Sequence, residues 1–245
     1  VSFRTLTKKG SIIPVSYPYP GEPNPIVRIA SVNFSSQISS ISYLDTGADP
    51  NQYLPRVLWH QNAKQLFVMR LDRLQTVLET WLCPINEGPC SNVITERDPR
   101  FVNLLSEPAL FPDGKKMLFL SERDGYSHIY QIGTDGTGLK SLTGGRWTVN
   151  KINLIDLELK KVVFTANAEN ELEQKLYRIS LEGERELESI DMEEGTHDVL
   201  YSPNGSKYID NHSALNRSPK TDIREADGKH LGVLAAHNMG SYRSS

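Results

Sequence analysis

Cysteine is nearly absent from this 245-residue chain, with two residues in all, Cys83 and Cys90. Two are too few for a zinc cluster. They leave either two unrelated buried thiols or a small disulfide loop around the turn at Gly88-Pro89. Turn residues between two strand-like segments favour the loop, and a disulfide would imply an oxidising compartment. Long apolar runs are missing too: none approaches the roughly 18 residues needed to span a bilayer as a helix, so no membrane crossing is expected. Nor is there an excess of one charge. Lys+Arg 27 against Asp+Glu 30 leaves −3, which argues against a nucleic-acid partner, whose footprint is normally basic. The chain opens on Val1 without a charged-then-apolar leader, so any targeting signal is expected to have been removed or to lie outside this segment. At 38% hydrophobic and 23% charged residues the chain reads as globular, with length for one large all-β domain or two ordinary ones.

Catalytic motifs are also lacking. No Gly-x-Ser-x-Gly elbow occurs, and the six histidines (60, 128, 197, 212, 230 and 237) nowhere form His-Glu-x-x-His. His128 lies in a strand-like segment and reads as structural. Gly133–Ser141 looks superficially like a phosphate loop, but Leu139 stands where a glycine is needed and no helix follows. The acidic pair Glu193-Glu194 could anchor a substrate amine, yet its setting from Asp191 to Gly195 reads more simply as a solvated loop. No catalytic residue, metal or cofactor is expected in this chain.

What the sequence does contain is a repeat. A turn followed by an apolar strand recurs around Asn62, Asp113, Leu159 and Asn204, at spacings of 51, 46 and 45 residues. A second strand leading into a second turn recurs around Trp81, Tyr130, Tyr177 and Ile223, at spacings of 49, 47 and 46. A unit of about 45–50 residues, with short strands and Asp-Gly or Asn-Gly turns, is the signature of a β-propeller blade. Helical periodicity is nearly absent; only Ala168–Gln174 could hold a turn or two. The expectation is an all-β, partial β-propeller of about four to five four-stranded antiparallel blades over residues 25–238. A connecting arm at 1–24 would precede it and a flexible tail at 239–245 would follow. Regular hairpins in a β-sandwich are the competing architecture. Four Asn-x-Ser triplets, at Asn33, Asn204, Asn211 and Asn216, are compatible with secretion.

Three segments, in order, resemble the propeller of dipeptidyl peptidase IV-type serine exopeptidases. The first is the arm Tyr17-Pro18-Tyr19-Pro20-Gly21-Glu22-Pro23-Asn24-Pro25. The second is Tyr53-Leu54-Pro55-Arg56-Val57-Leu58-Trp59 with Arg70-Leu71-Asp72-Arg73-Leu74-Gln75. The third is Ser121-Glu122-Arg123-Asp124-Gly125-Tyr126-Ser127-His128-Ile129-Tyr130 with Leu142-Thr143-Gly144-Gly145-Arg146-Trp147. The resemblance covers about residues 12 to 235.

The resemblance implies the C-terminal part of the propeller of a secreted, periplasmic or cell-surface X-prolyl di- or tripeptidyl peptidase. In that family an α/β-hydrolase domain carries the catalytic Ser, Asp and His, and is expected to be absent from this chain. The propeller caps that site, admits short peptide ends with proline near the N-terminus, and holds their amine with two glutamates upstream of the arm. Glu193-Glu194 lies downstream of the arm and is not that anchor. The resemblance places Cys83 and Cys90 where secreted members carry a propeller disulfide. It also points to Phe101, with Arg100 beside it, as a substrate-pocket rim, because the family tends to place an aromatic before the Ser106-Glu107-Pro108 segment. The expected partners are peptide substrates, the hydrolase domain and a second copy in a homo-oligomer. The rival function is a stand-alone propeller that binds protein or peptide partners.

Overall fold

The computed structural model describes residues 2–4, 12–14, 18–35, 38–47, 49–86, 88–183, 186–190 and 192–236. Among them every regular element is a strand. In chain order, β1 (Ser2–Arg4) pairs with β2 (Ile12–Pro14), and β3 (Ala30–Ser35) pairs with β4 (Ile38–Tyr43). Four antiparallel four-stranded sheets follow, each a meander of consecutive strands. The first is β5 (Tyr53–Trp59), β6 (Gln65–Leu71), β7 (Val77–Pro84) and β8 (Ser91–Arg97). The second is β9 (Ala109–Leu110), β10 (Lys116–Ser121), β11 (His128–Gly133) and β12 (Lys140–Ser141). The third is β13 (Val149–Asp156), β14 (Lys161–Ala166), β15 (Lys175–Ser180) and β16 (Glu188–Ser189). The fourth is β17 (Thr196–Tyr201), β18 (Lys207–Ala214), β19 (Arg217–Glu225) and β20 (His230–Ala236).

The repeat read from the sequence is this meander. Asn62, Asp113, Leu159 and Asn204 all fall in the turn between the first and second strands of a sheet. Trp81, Tyr130, Tyr177 and Ile223 sit on third strands, where they pair with Val68, Phe119, Phe164 and Ile209 of the second strands. The arm segment contains β1 and β2, three residues each, so it is not wholly a connection. Ala168–Gln174 is not helical. There the Asn170 side chain accepts from the Leu172 amide at 3.1 Å, and Gln174 bridges to Thr196 instead. A polar side chain that caps its own backbone competes with a helical turn.

Contacts divide the chain into two compact units. One comprises Val1–Trp59, Ala63–Thr95 and Pro99–Phe101; the other comprises His60–Asn62, Glu96–Asp98 and Val102–Ser245. In the first, Leu44, Leu66, Val68 and Cys83 form an apolar cluster. In the second, Leu118, Leu120 and Ile129 pack with Val162, Phe164, Tyr177 and Ile179, joining the second and third sheets. Val163, Leu176 and Ile190 pack with Val199 and Tyr208, joining the third and fourth. β14 therefore buries both faces, Val162 and Phe164 one way and Val163 the other. That is why Val162-Val163-Phe164 reads as an unbroken apolar run rather than an alternation. Outer strands β12 and β16 are two residues long, which limits exposed edge.

The residue after each first-turn marker has positive φ: 53° at Ala63, 68° at Gly114, 51° at Lys160 and 70° at Gly205. Glycine tolerates this; a side chain costs about 1 kcal/mol or more there. We expect Ala63→Gly to stabilise the chain by about 0.5 kcal/mol in urea unfolding, the left-handed strain relieved outweighing glycine's entropy. Gly205→Ala should cost more than about 1 kcal/mol, since its Cβ would also sit 3.1 Å from Leu154 Cδ2. Phe164→Ala should cost about 3–5 kcal/mol in the same measurement.

Candidate functional site

The segments that carry the family resemblance turn out to hold the fold's joints. In the first unit, the Asp72 carboxylate accepts from the amides of Thr76 and Val77, both at 2.7 Å, and from the Thr76 hydroxyl at 3.0 Å. Burial works to raise this carboxyl, but those hydrogen bonds together hold it below its ordinary value. They fix the turn between β6 and β7, from which Arg73 donates to the Glu22 carbonyl at 2.6 Å. The Tyr-Pro-Gly arm closes its own turn there, Tyr19 N donating to Glu22 Oε2 at 2.8 Å. Arg70 lies over the Trp81 ring at 4.8 Å.

In the second unit the Ser-Glu-Arg-Asp-Gly segment makes the turn between β10 and β11. Arg123 pairs with Glu96, donates to Ser121 Oγ at 2.9 Å, and lies over the Tyr130 ring at 4.8 Å. Tyr130 donates its hydroxyl to Asp124. Burial, with that hydrogen bond to Asp124 behind it, pushes the Tyr130 phenol up to about 12. His128 is buried and structural. Its Nδ1 lies 3.1 Å from Thr143 Oγ1, its Nε2 lies 3.0 Å from the Gly145 carbonyl, and the Trp147 ring meets it edge-on at 4.9 Å. Trp147 in turn stacks on Phe164. The Leu142–Trp147 segment is thus the joint between the second and third sheets.

The remaining sequence-predicted positions lie on connectors that leave one sheet and enter the next, and on hairpins. Between β8 and β9, Val102 is buried, Asn103 donates to Glu122 Oε2 at 2.7 Å, and Leu105 packs on the apolar cluster. Just before this anchored stretch come Arg100, exposed, and Phe101, 50% exposed. This pair, to which the family resemblance points, is the candidate site. Between β16 and β17, Glu193 forms an ion pair with Arg217, which also donates to the Glu194 carbonyl. The acidic pair therefore serves its own loop. Gly133–Ser141 is the hairpin between β11 and β12, closed by Gly133 N on the Thr137 carbonyl at 2.7 Å and by Asp135 on Thr137. Cys83 and Cys90 are joined as a disulfide across the turn between β7 and β8. One further group carries no motif of its own, the polar side chains of the fourth sheet. Their signal is Asp210 and His212, then Asp222 and Arg224, at alternate positions where a strand would bury apolar residues.

The architecture is that of a β-propeller. Dipeptidyl peptidase 4 of Porphyromonas gingivalis superposes with a TM-score of 0.86, covering 99% of this chain and 35% of that one at 23% identity. Over residues 5–219 the chain matches the family described as the dipeptidyl peptidase IV (DPP IV) N-terminal region. It belongs to that family. Its relatives include a protein named probable dipeptidyl-aminopeptidase B from Neosartorya fischeri, 25% identical over 205 residues, covering 77% of this chain and 22% of the relative. Another, named probable dipeptidyl peptidase 4, from Emericella nidulans, is 27% identical over 179 residues, covering 68% and 23%. The chain spans about a quarter of the length of these relatives.

Two measurements check these joints. Tyr130, and Tyr177 with its phenol also pushed up to about 12 chiefly by burial, should stay protonated in the folded chain at a pH where a free phenol, near 10, ionises. The fold favours their neutral form, so the stability they contribute is intact below about pH 10 and is lost as pH climbs towards 12. Phenolate absorbance of Tyr130→Phe and Tyr177→Phe against the parent chain assigns the late ionisations. Separately, Cys83→Ser/Cys90→Ser should lose about 2 kcal/mol in urea unfolding, the loop-closure value for so short a loop.

Proposed function

We propose that this chain is the non-catalytic, substrate-gating propeller region of an X-prolyl dipeptidyl or tripeptidyl peptidase of the serine type. The hydrolase domain that performs the cleavage would be supplied by the rest of the parent protein. The observation that carries the reading is the family match over residues 5–219, in a chain about a quarter as long as its peptidase relatives. In this reading peptides with proline near their N-terminus pass the rim formed by Phe101 and Arg100. Phe101, 50% exposed, would offer an apolar face to a peptide side chain. A secreted, periplasmic or cell-surface location is supported by the Cys83–Cys90 disulfide, which persists in an oxidising compartment. A homo-oligomer belongs to the same proposal.

The test is release of a chromophore from X-Pro-anilide substrates by the chain alone and by its full-length parent. The parent should be active and the chain inactive; turnover by the chain alone overturns the reading. In the parent, Phe101→Ala should raise KM by roughly 3–10-fold with kcat little changed, the pattern of lost uniform binding. An unchanged KM removes Phe101 from the rim. Truncating a half-buried phenylalanine should cost about 1 kcal/mol of stability, so urea unfolding of the variant is measured alongside its kinetics.

A further inference from the structure

The fourth sheet is built around charge. His197 on β17 is 2% exposed, Asp210 and His212 on β18 are 0% and 6%, and Asp222 and Arg224 on β19 are 0% and 7%. Register brings them together: His197 stands opposite His212, and Asp210 opposite Asp222. The two imidazoles stack, centroids 5.1 Å apart. Burying this many ionisable groups is costly unless each is paired.

His197 has an acceptor at each end. Its Nδ1 lies 2.9 and 3.0 Å from the two carboxylate oxygens of Asp210, and its Nε2 lies 2.8 Å from the backbone carbonyl of Glu193. A neutral imidazole offers one N–H and one lone pair, while a carbonyl and a carboxylate only accept. Both contacts are hydrogen bonds only if both ring nitrogens carry protons. The neighbouring charges fit this assignment. Asp222 has its own cations, Lys220 Nζ at 3.0 Å and Arg224 Nη2 at 3.7 Å, besides His212 at 3.2 Å and His230 of β20 at 3.4 Å. Among the described residues, the cationic neighbours of Asp210 are the Nε of Arg224, at 3.5 Å, and His197. On the connector, Glu193 is paired with Arg217. On the adjoining strand of the third sheet, Lys175 is paired with Glu173 at 3.0 Å and Glu169 at 3.9 Å. The counter-charge nearest the ring is therefore Asp210.

We propose that His197 is a buried imidazolium acting as a proton-dependent latch, its Nδ1–H fixed by Asp210 and its Nε2–H holding the connector of residues 192–195 to the sheet. Loss of one ring proton turns one of the two donors into a lone pair facing an acceptor. The connector then keeps Arg217 and the amide contacts of Gln174 N to the Gly195 carbonyl at 3.1 Å and His197 N to the Gln174 carbonyl at 3.0 Å. The latch is therefore made while both ring nitrogens carry protons and is lost with either proton.

The test uses the 245-residue chain labelled with ¹⁵N-histidine. At pH 7.5 both ring nitrogens of His197 should show attached protons, whereas a ring with one bare nitrogen overturns the latch. Hydrogen exchange of residues 192–197, corrected for intrinsic rate, should lose at least about tenfold protection between pH 6 and pH 9 in the parent chain. His197→Gln, which lacks the titrating proton, should lack that pH dependence; the same dependence in both chains overturns the proposal. The labelled spectrum needs no variant, so a failure of His197→Gln to fold leaves the test intact.

Discussion

Most of what is ordered in the second unit depends on one constraint, the burial of inner strands on both faces. β14 shows it most plainly, with Val162 and Phe164 against the second sheet and Val163 against the fourth. A single four-stranded meander has no interior of its own. It becomes stable by lending each face to a neighbour, as in other repeat architectures. The outer strands make no such contribution and can shrink to two residues, as β12 and β16 do.

That constraint separates structural residues from those left for function. Hairpin turns and sheet joints absorb the conspicuous polar residues: Asp72 closes a turn, Arg123 ties Glu96 to an aromatic ring, and His128 knits Thr143 to Gly145. The connectors run from one sheet to the next, that between β8 and β9 carrying the buried Val102. Phe101 and Arg100 occupy such a place. A rigid scaffold presenting side chains from loops is the usual division of labour between fold and binding. The segments that carry the family resemblance hold, in this chain, many of the contacts that close turns and join sheets.

The fourth sheet solves the same packing problem by different chemistry. Where the third sheet turns Val162, Phe164, Tyr177 and Ile179 towards its predecessor, the fourth presents Tyr208, Asp210 and His212, backed by Asp222 and Arg224. Apolar burial is non-directional and tolerates small shifts. A buried ion network does not, because each donor must meet its acceptor. In that sheet the pairing of strands is therefore tied to matching donors with acceptors as well as to apolar packing.

By itself the sequence determined the all-β architecture, the repeat length and the positions of the first turns. These are local properties: a turn needs particular backbone angles, and a strand between two sheets needs a continuous apolar run. The repeat survived even where glycine did not, since Ala63 and Lys160 adopt the backbone that Gly114 and Gly205 adopt more cheaply. The family was legible for a similar reason, because joint motifs are short and contiguous. Tertiary structure alone decided the partners. Nothing in the spacing of Glu193-Glu194 announces Arg217, and nothing near His197 announces Asp210 or the carbonyl it holds. Register across three strands brings those groups together, and register is set by packing over the whole sheet rather than by any one segment.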